Sequence, residues 1–272
     1  MTDQNLNFEI ILNHVKTVRR AFEDGTIDKL RSRDCDQYDV IQVDFPFGTR
    51  TCLKRKDRHA YLMLQKARCG SVELDEALTL QDHLDNVVKL SEELGEDDKI
   101  RCAELHEIDK RGTAKVFSPN QKFAELGFRI PKLLRLYKER YGMEPTGFDV
   151  IDSNVAVAKL LGYDARVYDF NDCSENLDLG DIDLIISYHM LEHVTNPLTA
   201  VKTIYEAMKP GAFFHVEIPI EPGFPNVRYC HMYPFHPGDM HEMLKLAGFK
   251  LLTLSHEVPK GGPNVERYLA VK

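Results

Sequence analysis

The spacing of apolar residues changes repeatedly along the second half of the chain, which predicts strands alternating with helices. Residues 183–187 form a short apolar run rich in β-branched side chains, typical of a strand buried on both faces. From Pro197 the apolar positions recur every three or four residues, which predicts a helix that ends at Lys209-Pro210-Gly211. A second apolar run at 212–218 completes a strand, helix and strand, and this order predicts a parallel crossover.

The same alternation extends to both sides of this unit. The apolar runs that predict further strands lie at 122–127, 146–150, 165–168, 249–254 and 267–271. The helical patterns between them lie at 132–141, 155–161 and 237–246. The last two strands are expected to pair in antiparallel orientation and to close the sheet.

The first 120 residues carry a more mixed pattern. The predicted helices lie at 8–22, 60–67 and 74–94. Residues 38–45 alternate weakly and predict a strand, whereas residues 96–110 are so highly charged that they predict an exposed connection. Residues 50–58 hold five basic residues and one acid, which indicates a solvated face or, alternatively, a docking surface for an anionic substrate.

Composition excludes several classes of protein. A net charge of −8 argues against general nucleic-acid binding, which needs clustered Lys and Arg. The polar start and the lack of an apolar run of membrane-spanning length predict a cytoplasmic protein with no membrane partner. The six cysteines form no CxxC pair, which argues against a zinc ribbon or a redox motif.

Three features of the second half resemble class I S-adenosylmethionine-dependent methyltransferases. They are the acidic start of a strand at Asp183, the Leu191-Glu192-His193 turn, and the Lys209-Pro210-Gly211 turn before the next strand. The resemblance covers residues 123–272 and implies an α/β fold: a Rossmann-like, seven-stranded, mostly parallel sheet with an antiparallel C-terminal strand pair. We therefore expect a mainly helical N-terminal region at 1–120, which covers the substrate or mediates oligomerisation, and a methyltransferase-like domain at 121–272.

The resemblance implies S-adenosylmethionine as the cofactor. The residues it assigns to cofactor binding are Glu125, Gly127, Arg129, Asp149, Asp169, Phe170 and Ser187. Asp149 would accept hydrogen bonds from the ribose hydroxyls, although a helix-capping role is the alternative. Asp169 and Phe170 would frame adenine, and Arg129 would meet the methionine carboxylate or another anion.

The turn after the first predicted strand of this domain lacks most of the glycines that the resemblance leads us to expect. Glu125 to Pro131 reads ELGFRIP, in which Gly127 is the only glycine. Glycine permits positive φ and close approach of backbone N–H groups to a ligand, so the bulk at 128–130 is expected to crowd the cofactor. Loss of cofactor binding is the alternative that this turn leaves open.

Candidate catalytic residues cluster after the predicted strand at 183–187 and in the loop at 221–237. Tyr188 and His189 follow the strand, and His231 and His236 lie in the loop; a histidine suits removal of a proton from a hydroxyl or amine acceptor. His189 to His193 spells H-x-x-E-H, but a short turn does not give the continuous helix that a zinc pair of this type needs. A metal site of His231, His236 and Glu217 lacks supporting spacing, so we expect no metal.

These observations predict a methyltransferase that acts on a hydroxyl or amine of a small polar molecule, such as a sugar or a secondary metabolite. A homodimer is left open. Two alternatives remain: a catalytically silent relative that serves as a binding or scaffold protein, and an enzyme of this fold that uses a different ligand.

Overall fold

The computed structural model describes residues 3–31, 38–58, 61–62, 80–110, 115–116, 118–221, 230–257 and 264–272. The predicted helix at 60–67 and the middle of the predicted loop at 221–237 lie largely outside these ranges. Within them, no helix combines the length and the apolar character needed to cross a membrane.

The secondary-structure elements follow the predicted order closely. The helices are α1 (Asp3–Glu23), α2 (Thr26–Arg31), α3 (Leu80–Glu92), α4 (Glu96–Lys110), α5 (Lys132–Tyr141), α6 (Asp152–Leu160), α7 (Pro197–Ala207) and α8 (Asp239–Ala247). The strands are β1 (Tyr38–Phe45), β2 (Gly48–Arg55), β3 (Lys122–Leu126), β4 (Glu144–Asp149), β5 (Asp164–Val167), β6 (Leu184–Tyr188), β7 (Phe213–Pro219), β8 (Lys250–Glu257) and β9 (Val265–Val271). A 3₁₀ turn spans Leu191–His193.

A seven-stranded sheet has the order β5-β4-β3-β6-β7-β9-β8. Strands β3, β4 and β5 pair in parallel, whereas β9 pairs in antiparallel with both β7 and β8. The predicted α/β fold class is therefore confirmed, including the antiparallel C-terminal pair.

The chain divides into two compact units. Unit 1 comprises residues 1–24, 66–168 and 182–185, and unit 2 comprises residues 25–65, 169–181 and 186–272. The division at residue 120 that the sequence suggested stays a prediction.

In unit 1, helices α1, α3 and α6 share an apolar cluster. Ile11, Val87, Ala156 and Val157 are buried in it, and Ile130 packs against it. Ser153 at the start of α6 and His14 of α1 are joined by a 2.8 Å hydrogen bond between Oγ and Nδ1. The N-terminal helix is thus fixed to the helix that follows β4.

The prediction of an exposed connection at 96–110 is wrong, because these residues form helix α4 with a buried face. The buried side chains are Asp98, Arg101, Cys102, Leu105 and Ile108. Arg101 donates to Asp98 at 3.1 Å, and Lys132 lies 3.2 Å from the other oxygen of that carboxylate. Charged residues can be buried when they are paired, and composition alone does not reveal the pairing.

In unit 2, β1 and β2 form an antiparallel hairpin with Phe45 opposite Gly48. Apart from this hairpin, the described part of the N-terminal region holds helices α1 to α4, so the prediction of a largely helical region is confirmed. The hairpin is held to later parts of unit 2, since Leu53 N donates to Met232 O at 2.8 Å and Arg50 Nε donates to Asp239 Oδ2 at 3.0 Å.

Candidate functional site

The turn after β3 keeps its backbone shape without the missing glycines. Gly127 has φ +76° and Arg129 has φ +50°, so an arginine adopts the left-handed conformation that glycine accepts most readily. Phe128 is only 4% exposed, and its ring packs against Gly147 of β4, where an added Cβ would lie 2.7 Å from two ring carbons. Ile130 packs against the apolar cluster of unit 1. The side chains of Phe128 and Ile130 therefore fill the core of unit 1, contrary to the expected crowding.

Asp149 connects this turn to the turn that follows β4. Its Oδ2 accepts a hydrogen bond from Arg129 N at 2.9 Å, and its Oδ1 accepts one from Ile151 N at 2.8 Å. Burial raises the pKa of the carboxyl group, and these two hydrogen bonds oppose that shift. Each carboxylate oxygen has two lone pairs, so both oxygens can still accept a hydrogen bond from a ligand hydroxyl. The arrangement gives Asp149 a turn-stabilising role and keeps its capacity to bind a diol.

Glu125 lies at the same end of unit 1. It is buried, and its Oε2 has no hydrogen-bond partner within the described part of the chain. Burial, reinforced by the charge of Asp98, raises the pKa of Glu125 well above its usual range. A protonated carboxyl group there could donate a hydrogen bond to a bound ligand.

A cavity of about 550 Å³ lies within unit 2, beside the residues predicted to frame adenine. Its lining includes Ile41, Val43, Lys54, Arg58, Phe170 and Thr195. Asp169 forms an ion pair with Arg58, and its Oδ1 accepts a hydrogen bond from Asn171 N at 2.8 Å. Phe170 is buried and offers an apolar surface to the cavity.

The basic residues of β2 and its continuation make contacts within unit 2. Arg50 pairs with Asp239, Arg55 donates to Tyr38 Oη at 2.7 Å, and Arg58 pairs with Asp169. The solvated face that the sequence indicated is therefore only partly present. Lys54 and Arg58, which line the cavity, are the part of this basic stretch that fits the alternative of an anionic ligand.

Tyr188, the last residue of β6, is joined to His215 of β7. The Tyr188 Oη and His215 Nδ1 lie 2.6 Å apart, and the two rings meet edge to face. Ser187 beside it is fully buried, and its Oγ has no hydrogen-bond partner among the described residues.

His189 lies between two buried carboxylates. Its Nε2 is 2.8 Å from Glu217 Oε1, and its Nδ1 is 3.3 Å from Glu192 Oε1. Burial opposes protonation, but the hydrogen bonds to Glu192 and Glu217 outweigh it and raise the pKa of His189 to about 9. A histidine that is protonated at neutral pH is a poor general base, so this geometry argues against the base role that the sequence suggested for His189.

Glu192, His193 and His231 meet beside this ion pair. Glu192 Oε1 lies 4.0 Å from Nε2 of each histidine, and the two imidazole rings meet edge to face at 4.9 Å. Burial favours the protonated form of Glu192, but the hydrogen bond from His189 and the nearby histidines lower its pKa to about 2. Glu192 is therefore an ionised carboxylate in the interior of unit 2.

The structure groups the sequence-predicted histidines differently from the expectation. His231 lies near Glu192 and Glu221, whereas His236 lies in the turn before α8, where its backbone N donates to Asp239 Oδ2 at 3.1 Å. Sequence analysis missed Glu192, Glu221 and His215 as site residues. The sequence signals for Glu192 were the Leu191-Glu192-His193 turn and the H-x-x-E-H string, whose first histidine lies between Glu192 and Glu217.

Comparisons with known proteins support the fold and the class of the chain. Residues 118–254 match a family model described as a methyltransferase domain. A phosphoethanolamine N-methyltransferase 2 from Haemonchus contortus, solved with phosphomonomethylethanolamine and S-adenosylhomocysteine, superposes with a TM-score of 0.50 at 15% identity over 60% of this chain and 51% of that chain. A protein from Galdieria sulphuraria described as a sarcosine dimethylglycine methyltransferase gives 0.50 at 12% identity over 65% and 84%. Among curated proteins, none matches the chain significantly.

Proposed function

The chain belongs to the class I S-adenosylmethionine-dependent methyltransferases, and we propose that it methylates a hydroxyl or amine of a small polar molecule. S-adenosylmethionine is the cofactor of this family and supplies an activated methyl group when it is bound. The proposal for the acceptor is supported chiefly by one observation, the hydrogen bond between Tyr188 and His215 at the carboxyl end of β6.

We assign the ribose hydroxyls of the cofactor to Asp149. A carboxylate suits a vicinal diol because its two oxygens can accept one hydrogen bond each, and both oxygens of Asp149 keep a lone pair for this purpose. The position of Phe128 against Gly147 supports the assignment, since its ring does not compete for the space beside Gly127. Gly127 and Arg129 supply the turn, and Glu125 is a further polar contact.

The adenine base is assigned to the cavity of unit 2, against Phe170. A volume of about 550 Å³ is sufficient for a purine, and Phe170 provides an apolar wall. Asp169 is already paired with Arg58, so we assign the ion pair, rather than the carboxylate alone, to the polar edge of the base. Ser187, whose buried hydroxyl has no described partner, is a further candidate contact for the cofactor.

Calorimetry with S-adenosylhomocysteine tests the ribose assignment. Asp149→Asn is expected to weaken binding at least tenfold, because an amide accepts fewer hydrogen bonds from a diol. Asp152→Asn, a matched change three positions away in the first turn of α6, is expected to leave the affinity within twofold. Equal affinities for the wild type and a folded Asp149→Asn variant would exclude the assignment.

We assign removal of the acceptor's proton to Tyr188, with His215 as the group that receives the tyrosine's own proton. Transfer of a methyl group to a hydroxyl or an amine requires loss of a proton, and general bases contribute about 10²- to 10⁴-fold to such steps. Tyr188 can take that proton while its own hydroxyl proton passes to His215 Nδ1, 2.6 Å away. Both ring nitrogens of His189 face carboxylates, so we assign it to holding Glu192 and Glu217 in place beside the β6 end rather than to contacting the acceptor.

A polar acceptor fits the buried groups around these residues. Glu192, Glu217 and His231 are all buried in unit 2. Glu217 is already paired with His189 and Arg267, but Glu192 Oε2 has no hydrogen-bond partner among the described residues. An apolar acceptor beside Glu192 would leave that oxygen desolvated, which costs several kcal/mol. Hydroxylated and amino compounds avoid this cost.

Methyl transfer from radiolabelled cofactor to a panel of polyols, amino sugars, amines and phenols tests the acceptor class. Tyr188→Phe is expected to lower kcat about 100-fold or more with little change in KM. Tyr163→Phe, which removes the same hydroxyl group in unit 1, is the matched control and should leave both unchanged. Full activity in Tyr188→Phe would remove Tyr188 from the mechanism, and a lack of transfer to every member of this polar panel would contradict the substrate class.

A further inference from the structure

We propose that Glu192, His193 and His231 form a binding site for one divalent transition-metal ion, with Zn²⁺ as the ion that fits best. The proposal rests on the positions of side chains within unit 2. It does not depend on which acceptor the enzyme methylates.

The three ligand atoms already converge. One atom from each residue lies within 4.8 Å of the other two, and Glu192 Oε1 is 4.0 Å from Nε2 of both His193 and His231. Tetrahedral Zn²⁺ ligands, at 2.0 to 2.1 Å from the metal, lie about 3.3 Å from one another. Side-chain movements of about 1 Å would close the site, which rotations of the three side chains can provide.

Both imidazole rings are oriented by contacts at their other nitrogen. His193 Nδ1 lies 2.9 Å from Cys230 O, and a carbonyl can only accept, so Nδ1 carries the proton and Nε2 carries the lone pair. His231 Nδ1 lies 3.0 Å from Glu221 Oε1, close enough for the carboxylate to orient the ring, although off the line of a hydrogen bond. Metal-binding histidines usually have such a carbonyl or carboxylate behind them.

Glu192 provides an independent indication of a ligand. Its side chain is 1% exposed, and its Oε2 has no hydrogen-bond partner in the described part of the chain. His189 contacts Oε1, so it leaves the desolvation cost of Oε2 in place, and a coordinated cation would offset that cost. His193 is 18% exposed and His231 is 7% exposed, so the edge at His193 offers a path for the ion.

The donor set selects the class of metal. Two imidazole nitrogens and one carboxylate oxygen suit Zn²⁺ and the neighbouring first-row divalent ions, whereas Mg²⁺ and Ca²⁺ prefer oxygen ligands throughout. Three protein ligands also leave a fourth tetrahedral position for water or another small oxygen or nitrogen ligand.

Isothermal titration of the chelator-treated full chain with ZnCl₂ tests the proposal. We expect one equivalent to bind with a dissociation constant of micromolar or lower. His193→Asn and His231→Asn are each expected to weaken binding at least tenfold, and Glu221→Gln about tenfold through the orientation of His231. His241→Asn, on α8 and outside the cluster, is the matched control and should bind as the wild type does.

A second measurement covers the case in which the histidine variants fail to fold. Diethyl pyrocarbonate modification of the wild type, mapped by mass spectrometry, should slow at His193 and His231 when Zn²⁺ is present and remain the same at His241. Absence of stoichiometric binding, or equal protection of His241, would overturn the proposal, as would wild-type affinity in the two folded histidine variants.

Discussion

Arg129 adopts a backbone conformation that side chains with a Cβ seldom take. Its φ of +50° is in the left-handed region, and its backbone N donates to Asp149. The chain thus carries an arginine where the resemblance leads us to expect a glycine, although the turn still requires positive φ. This conformation costs an arginine on the order of 1 kcal/mol.

Substitutions at position 129 should reveal this conformational demand. Arg129→Gly is expected to keep or slightly raise the free energy of unfolding, whereas Arg129→Val should lower it by about 2 kcal/mol because a β-branched residue tolerates positive φ poorly. Urea denaturation measures both. A valine variant as stable as the glycine variant would show that the turn can relax.

Gly147 should be intolerant of even one added carbon. Gly147→Ala is expected to destabilise the fold by about 1 to 3 kcal/mol, because the new Cβ would lie 2.7 Å from the Phe128 ring. Combining it with Phe128→Leu should recover part of the loss, which a double-mutant cycle of unfolding free energies measures. If the loss in the double variant equalled the sum of the two single losses, the ring and Gly147 would not interact.

At the scale of single residues, the sequence predicted where a residue lies along a strand or turn better than it predicted where its side chain points. Asp149 was identified from the resemblance and from its place at the end of a predicted strand, and its ribose role stays a prediction; the structure adds that its carboxylate accepts a hydrogen bond from the neighbouring turn. The direction of Phe128 could not be predicted, since it depends on a glycine nineteen positions later, on the adjacent strand. The approach of His231 to Glu192 likewise depends on how a loop returns to the sheet.

At the scale of elements, the regular strands and helices of the second half were predictable because each depends on local spacing. The predicted and observed limits of α5 coincide at Lys132 and Tyr141. Helix α4 was missed because its charges are compensated by partners such as Lys132, and a composition rule cannot detect such a partner. Only one strand of the hairpin was predicted, because β1 alternates weakly whereas the sequence of β2 is mainly a basic stretch.

The attachment of the hairpin depends on Asp239 at the start of α8. This buried carboxylate accepts hydrogen bonds from Arg50 Nε, Tyr233 Oη and His236 N. Asp239→Ala should therefore lower the free energy of unfolding by about 3 kcal/mol or more. Arg50→Met should cost less, because the tyrosine and the backbone amide keep their acceptor. A larger loss in the arginine variant would contradict this order.

At the scale of the whole molecule, thiol reactivity reports which parts of the core stay closed. Burial raises the pKa of Cys52 to about 12 and also raises that of Cys102, whereas Cys173 is partly exposed. Iodoacetamide at pH 8 should therefore label Cys173 well before Cys52 or Cys102, as peptide mass spectrometry can show. All three should react similarly in guanidinium, and early labelling of Cys52 in buffer would indicate that the hairpin opens.

The order of strands has a consequence for the sequence of events in folding. Within the described residues β8 joins the sheet through β9, which lies between β7 and β8 although it comes last in the chain. During synthesis β8 therefore leaves the ribosome with no neighbour on which to form its backbone hydrogen bonds. The β7 edge of the sheet can be completed only when residues 265–271 have emerged. A nascent chain halted before them would expose the unpaired backbone groups of β7 to chaperones and to other chains.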